Sequence, residues 1–403
     1  MRELCLMQKE GLTKAQIAIM AVSAGICVAN IYYNQPILKD IALNLHVDEG
    51  RVGIISVLTQ AGYATGLFFI TPLGDKIHRK KLIAFLQGLL ILSLLGLTFS
   101  QSLWSILTMS YVIGISSVIA QVILPMAASM DSRNRGRTVG IIFTGILVGI
   151  LASRVFSGYI ASLLGWRYIY GISAALVFLS GIILHSVLPD LKQTFDGNYG
   201  QLLQSTLRQI GRFAQLRRSA LLGALVFGIF CSFWTTLTFH LSGPPFNYHT
   251  DAIGLFGALA IGGALLAPVF GKLADKGNPA RSLIMTVIMI IISVLLIKLF
   301  PNSLSSFVIA VLLLDIGVQA TQVTNIATIY TLDDTAHSRI NTVYMTAYFL
   351  GGSLGTLAGV QCWRLGGWQM VTWQLFIWGL LALWVAFSNY RSQLPARNAV
   401  PGI

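Results

Sequence analysis

Leu73-Gly74-Asp75-Lys76 returns two hundred residues later as Leu273-Ala274-Asp275-Lys276. Each copy ends an apolar, glycine-containing run and precedes a basic loop. A second echo lies further on: Gly165-Trp166 returns as Gly367-Trp368, offset by 202. Two echoes at nearly one offset in a chain of 403 residues mark a tandem duplication of about half its length.

Composition says where such a chain resides. Hydrophobic residues make up 55% and charged residues only 10%, with a mean hydropathy of +0.75. Soluble domains carry about 25% charged residues, so this chain belongs in a lipid bilayer. A duplicated, apolar chain with a charged turn between spans points to a membrane transporter built from two repeats. The net charge of +13 comes in small groups between apolar spans, not on a polar domain. That placement sets topology and argues against a nucleic-acid partner. Cys5, Cys27, Cys231 and Cys362 form no CxxC pair, so neither a disulfide framework nor a metal site is expected. Arg2, Lys9 and Lys14 precede an apolar run longer than the core of a secretory signal. The first span is therefore expected to act as its own insertion signal.

The apolar runs predict an all-α membrane protein of twelve transmembrane helices in two six-helix halves. The spans are expected near 15–38, 51–74, 80–99, 103–129, 138–163, 166–188, 219–242, 252–274, 281–300, 303–330, 340–363 and 367–389. This divides the chain into an N-terminal half (1–188), a linker (189–218) and a C-terminal half (219–403). The second part of the linker, with Arg208, Arg212, Arg217 and Arg218, reads as a short basic amphipathic helix at the membrane surface. With the N-terminus inside, 21 of the 27 Lys and Arg fall on the cytoplasmic side and five outside. That asymmetry puts both termini in the cytoplasm. The expected location is a bacterial cytoplasmic membrane, and a monomer is expected.

Leu73, Gly74, Asp75, Lys76, Arg79 and Lys80 resemble the loop between helices 2 and 3 of the major facilitator superfamily. Thr71 and His78 stand where that family has glycine. Gly271, Leu273, Ala274, Asp275 and Lys276 match the second copy, followed by Arg281. Tyr32-Tyr33-Asn34-Gln35-Pro36, Arg135-Gly136-Arg137 and Arg339-x-Asn341-x-x-Tyr344-Met345 ahead of Gly351-Gly352 are similar to bacterial twelve-helix drug/proton antiporters. The chain looks like the acriflavine-sensitivity type of exporter. Gly145-Ile146 replaces the Gly-Pro pair of the antiporter motif, and Tyr111, Val112 and Ile113 stand where many relatives have an arginine. The resemblance implies a major facilitator fold. It also implies an inner gate in which the loop aspartate caps a helix and pairs with basic residues across the halves. The gate would comprise Asp75, Lys76, Arg79, Lys80, Asp275, Lys276, Arg135, Arg137 and Arg339.

Charge within the spans is the sharpest chemical clue. Of the 14 acids only Asp315 lies mid-span, and Arg154 is the only deeply placed base. A charge at a helix centre costs about 2.5–3.5 kcal/mol on insertion scales, so each is expected to act in function. Asp315 is expected to exchange a proton and Arg154 to reset it; a static pair and two unrelated residues are the alternatives. Asp315, Gln319 and Gln322 share one helix face, with Asn325 at its edge. The resemblance implies that spans 1, 4, 7 and 10 line a central cavity. The substrate candidates are therefore Asn30, Tyr33, Asn34, Gln121, Trp234, His240, Gln319, Gln322 and Asn325, with Tyr344 and Tyr348 on span 11. Small-residue patterns on spans 2 (Gly62, Gly66), 5 (Gly145, Gly149), 8 (Gly254, Ala258, Gly262) and 11 (Gly351, Gly355, Gly359) permit close helix approach. By resemblance these faces would meet across the halves.

No phosphate-binding loop, cofactor motif or metal spacing is present, so no enzyme activity, cofactor or metal is expected. The expected function is export of small amphipathic or lipophilic compounds by proton antiport. Proton-coupled uptake of a nutrient or siderophore-like metabolite is the alternative. A membrane sensor or scaffold is a remote third.

Overall fold

A computed structural model describes residues 12–131, 134–188, 197–259, 279–333 and 336–393. They form α1 (Lys14–Ala29), α2 (Asn34–Leu45), α3 (Glu49–Phe69), α4 (Leu73–Lys76), α5 (Arg79–Thr98), α6 (Leu103–Ser116), α7 (Ile119–Met130), α8 (Arg135–Leu164) and α9 (Trp166–Val187). There follow α10 (Tyr199–Arg212), α11 (Ala214–Leu241), α12 (Thr250–Leu259), α13 (Pro279–Leu299), α14 (Leu304–Tyr330) and α15 (His337–Gln393). Among the described residues, ten helical stretches are long and apolar enough to cross a membrane. One of them runs 55 residues, His337–Arg391, more than twice the roughly 20 that one crossing needs. Non-helical backbone at Gly366 and Gly367 breaks it into two. The expected eighth span opens as α12, and its remainder lies outside the described residues. The fold is thus the expected all-α membrane bundle.

The repeated Gly-Trp now has a cause. Gly165 has φ 98° and joins α8 to α9; Gly367 has φ 59° at the corresponding break in α15. Both lie in backbone space that side-chain-bearing residues seldom enter, so glycine is required at each turn. The following tryptophans are buried and pin the turns. Trp368 donates from Nε1 to the Ile297 carbonyl at 3.3 Å.

The first span is broken, where the hydropathy pattern predicted one continuous helix. Pro36 lacks the N–H that would reach the Tyr32 carbonyl. The Gln35 N–H takes that oxygen at 3.2 Å, and Ile31 and Tyr32 bond three residues back. Asn30 Nδ2 covers the loosened carbonyls of Ile26 and Cys27 at 2.9 and 3.2 Å. The helix then resumes as α2 and runs to Leu45, past the expected end at residue 38. Lys39 and Asp40 end the apolar run without ending the helix, because this stretch is amphipathic. The fourth span also breaks, at Ser117 and Val118. There Ser116 and Ser117 bond from Oγ to the Val112 and Ile113 carbonyls, both at 2.7 Å, in competition with the helix ladder.

Contacts divide the chain into two compact units: Met1–Thr206 with Trp234–Ile261, and Leu207–Phe233 with Gly262–Ile403. Within them, most of the glycine faces weld helices of the same half, contrary to the expected interface between halves. A Cβ on Gly62 would lie 2.2 Å from the Tyr111 carbonyl oxygen, one on Gly149 2.3 Å from that of Gly25, and one on Gly355 2.3 Å from that of Gly228. The patterns on spans 2, 5 and 11 therefore seat spans 4, 1 and 7. A small-residue stripe shows that a groove exists, not which helix fills it. Gly254 differs: it meets Gly158 of α8, while Ala258 is exposed. Gly262 lies outside the described residues.

Candidate functional site

Arg154 sits on α8 in the first unit, with 1% of its surface exposed. Its Nε–H donates to Gln35 Oε1 at 2.9 Å. Its guanidinium carbon lies 4.3 Å from the centre of the Trp234 ring and 5.2 Å from that of Tyr32. A desolvated guanidinium on aromatic faces gains about 2 kcal/mol, so this cage offsets part of the cost of burying the charge. Glycines make room for it. Gly257 lacks the Cβ that would fall 2.7 Å from Arg154 Cβ, and Gly254 packs against the Arg154 carbonyl. Gln35 is anchored in turn by Thr238, whose hydroxyl donates to the Gln35 carbonyl at 2.8 Å. One turn on, Lys39 donates to the Ser242 carbonyl, and Thr250 donates to Asp40 Oδ2 at 2.6 Å.

Of the expected substrate residues, Trp234 joins this cage directly. Tyr33 packs on Phe156 with ring centres 5.9 Å apart. The two asparagines are held by the protein itself. Asn30 Oδ1 accepts from Ser173 at 2.7 Å, beyond its two backbone bonds. Asn34 accepts from Ser56 at 2.6 Å and donates to the Ile31 carbonyl at 3.1 Å. Gln121 donates to Tyr63 Oη at 3.3 Å, and His240 packs edge-on against Phe246. Sequence reasoning passed over Gln35 and Tyr32 as partners of Arg154. The Tyr-Asn-Gln-Pro run signalled them, but no local pattern joins residues 119 positions apart.

In the second unit Asp315 is 1% exposed on α14, and Gln319, Gln322 and Asn325 are buried along the same helix. Asn325 Nδ2 donates to the Ser219 carbonyl at 3.4 Å. Gln322 Nε2 lies 4.0 Å from Met345 Sδ. Tyr348 stacks on Phe227 at 4.0 Å, and Tyr344 lies 5.9 Å from Tyr348, ring centre to ring centre.

The first gate loop is organised around Arg79. Its Nη2 meets Asp75 Oδ1 at 2.8 Å, its Nε donates to the Gly74 carbonyl at 2.9 Å, and its Nη1 reaches Ser129 Oγ at 3.5 Å. Asp75 lies within the short α4 and does not cap α5, whose N-cap is His78. That differs from the capping role the resemblance implied, because α4 carries the aspartate into a turn of its own. Lys80 donates to the Leu188 carbonyl at 2.9 Å, Lys76 and Arg339 are half-buried, and Arg137 is exposed. Asp275, Lys276 and the Arg135 side chain lie outside what the structure describes. Among the described residues, no cluster of His, Cys, Asp and Glu could hold a metal.

Known proteins fit this picture. The family model described as Major Facilitator Superfamily matches residues 20–360. The "Uncharacterized transporter YgaY" of Escherichia coli O157:H7 is 37% identical over 383 residues, covering 95% of this chain and 97% of that protein. The "Probable sugar efflux transporter" of Helicobacter pylori strain P12 is 22% identical, covering 92% and 94%. A crystal structure of a bacterial homolog of the human lysosomal transporter Spinster, inward-facing and occupied, aligns with a TM-score of 0.74 at 12% identity. It covers 93% of this chain and 96% of its own. The family match over most of the chain and the 37% identical transporter establish that this chain, a multi-pass membrane transporter, belongs to the Major Facilitator Superfamily.

Proposed function

We propose that this transporter exports small amphipathic or lipophilic compounds by proton antiport. The two halves, residues 1–188 and 219–403 about the linker 189–218, alternate between inward- and outward-open states, with both termini in the cytoplasm. The observation that carries this reading is a carboxylate and a guanidinium buried in membrane-spanning helices, Asp315 and Arg154, each 1% exposed. Charges so placed persist in membrane helices where they work. Asp315 takes up and releases the proton, and Arg154 resets it.

Discontinuous first and fourth spans support a substrate site beside the breaks, since broken helices of repeat-built transporters are where such sites lie. The aromatic faces of Trp234 and Tyr32 suit an apolar body. The test is purified protein in liposomes with a pH-sensitive dye inside, screened against lipophilic drugs, sugars, amino acids and siderophores. Antiport gives proton flux opposite to substrate flow. Flux in the same direction makes the protein an importer and removes this reading.

A further inference from the structure

Gln35 is 1% exposed, and its amide cannot be turned around. Amide oxygen and nitrogen are interchangeable in most settings, but Arg154 only donates. The 2.9 Å bond from Arg154 Nε therefore fixes Oε1 towards the guanidinium. The –NH2 end must point the other way. There Gln35 Nε2 is buried and has no hydrogen-bond partner among the described residues. Two dry, orphaned N–H donors are a free-energy cost that folded proteins avoid unless the group has other work. The backbone of Gln35 is meanwhile fully engaged: its N–H bonds to Tyr32 and its carbonyl to Thr238. The side chain is thus fixed at a helix break, beside a caged guanidinium and the Tyr32 and Trp234 rings.

We propose that Gln35 is a substrate-recognition residue whose side-chain N–H groups donate to an oxygen of the transported molecule. The substrate class is then an amphipathic compound with a hydroxyl, carbonyl or carboxyl oxygen next to an apolar body. Lipophilic cations without an acceptor oxygen are poor ligands. The inference rests on the reading that the substrate site lies beside the broken first span. It does not depend on proton coupling.

Equilibrium binding to the full-length protein in detergent, with no gradient imposed, tests it. The probes are chloramphenicol (apolar ring with hydroxyl and carbonyl oxygens) and tetraphenylphosphonium, which has no oxygen. Gln35→Glu keeps an acceptor for Arg154 and removes both donors; Gln35→Leu removes acceptor and donors alike. Thermal unfolding of each variant checks that it is folded. The expected result is that an oxygen-bearing probe binds the wild type more tightly than tetraphenylphosphonium. Both variants should then lose about 10-fold in affinity for it, the effect of one hydrogen bond. If Gln35→Glu binds like the wild type while Gln35→Leu does not, Gln35 only holds Arg154 and the proposal fails. It fails equally if no oxygen-bearing probe binds, or if tetraphenylphosphonium binds as tightly. Because no proton gradient enters the measurement, these outcomes are independent of the role of Asp315.

Discussion

Arg154 Nε and Gln35 Oε1 lie 2.9 Å apart, joining α8 to the start of α2 where the first span breaks. The bond gives a buried guanidinium one fixed orientation, with Trp234 and Tyr32 beside its plane. Lysine carries the same charge but has neither the planar fork nor the Nε donor. Arg154→Lys is therefore expected to lose at least about 10-fold in transport rate, as loss of a charge-assisted hydrogen bond implies, and to unfold at a lower temperature. Wild-type transport by the lysine variant would show that charge alone suffices.

Gly257 and Gly140 form a matched pair for testing the packing around that charge. A methyl on Gly257 collides with Arg154 at 2.7 Å, whereas one on Gly140 meets nothing within 4 Å. Gly257→Ala should destabilise by about 1–3 kcal/mol through overpacking. Gly140→Ala should be neutral or stabilise by up to about 1 kcal/mol, since alanine is the better helix former. Thermal unfolding compares them, and equal melting temperatures would contradict the tight seat of Arg154.

Asp75 and Arg79 form a partly exposed pair, with side-chain exposures of 29% and 12%. Such pairs add only about 0–1 kcal/mol to stability. Asp75→Ala should therefore leave the melting temperature nearly unchanged, while turnover falls several-fold and substrate affinity stays. Normal turnover would remove the gate role from this loop.

Thr250 donates to Asp40 at 2.6 Å, fastening α2 to the start of α12. A hydrogen bond to a carboxylate contributes about 1.5–3 kcal/mol. Thr250→Val should lower thermal stability by a loss of that order, and Thr250→Ser should restore most of it. If valine and serine behave alike, the bond is not what fastens these helices.

The spans and the repeat were legible in the chain, since apolar runs mark helices and the two echoes share an offset. The Gly-Trp echo did not show why glycine recurs there: the positive φ of Gly165 and Gly367 appears only in the structure. What stayed hidden is set by partners distant in sequence. Gly149 was readable as part of a groove, but not that Gly25 fills it. Asn30 and Asn34 looked like ligand-facing amides; each donates to carbonyls at a helix break and accepts from a serine on another helix, and hydropathy does not register that break, since Pro36 disturbs the backbone without lowering apolarity. Gln35 belongs to the Tyr-Tyr-Asn-Gln-Pro run, yet its bond to Arg154 emerges only once span 5 lies against span 1.

The most direct test of proton coupling is the Asp315→Asn variant in liposomes holding a pH-sensitive dye, with labelled substrate exchange followed in the same vesicles. Asparagine mimics the protonated carboxyl, and its side-chain amide does not titrate. The account predicts that substrate-driven proton flux disappears while exchange of labelled substrate across the membrane persists. Undiminished proton flux in the variant would contradict it and place the coupling elsewhere in the chain.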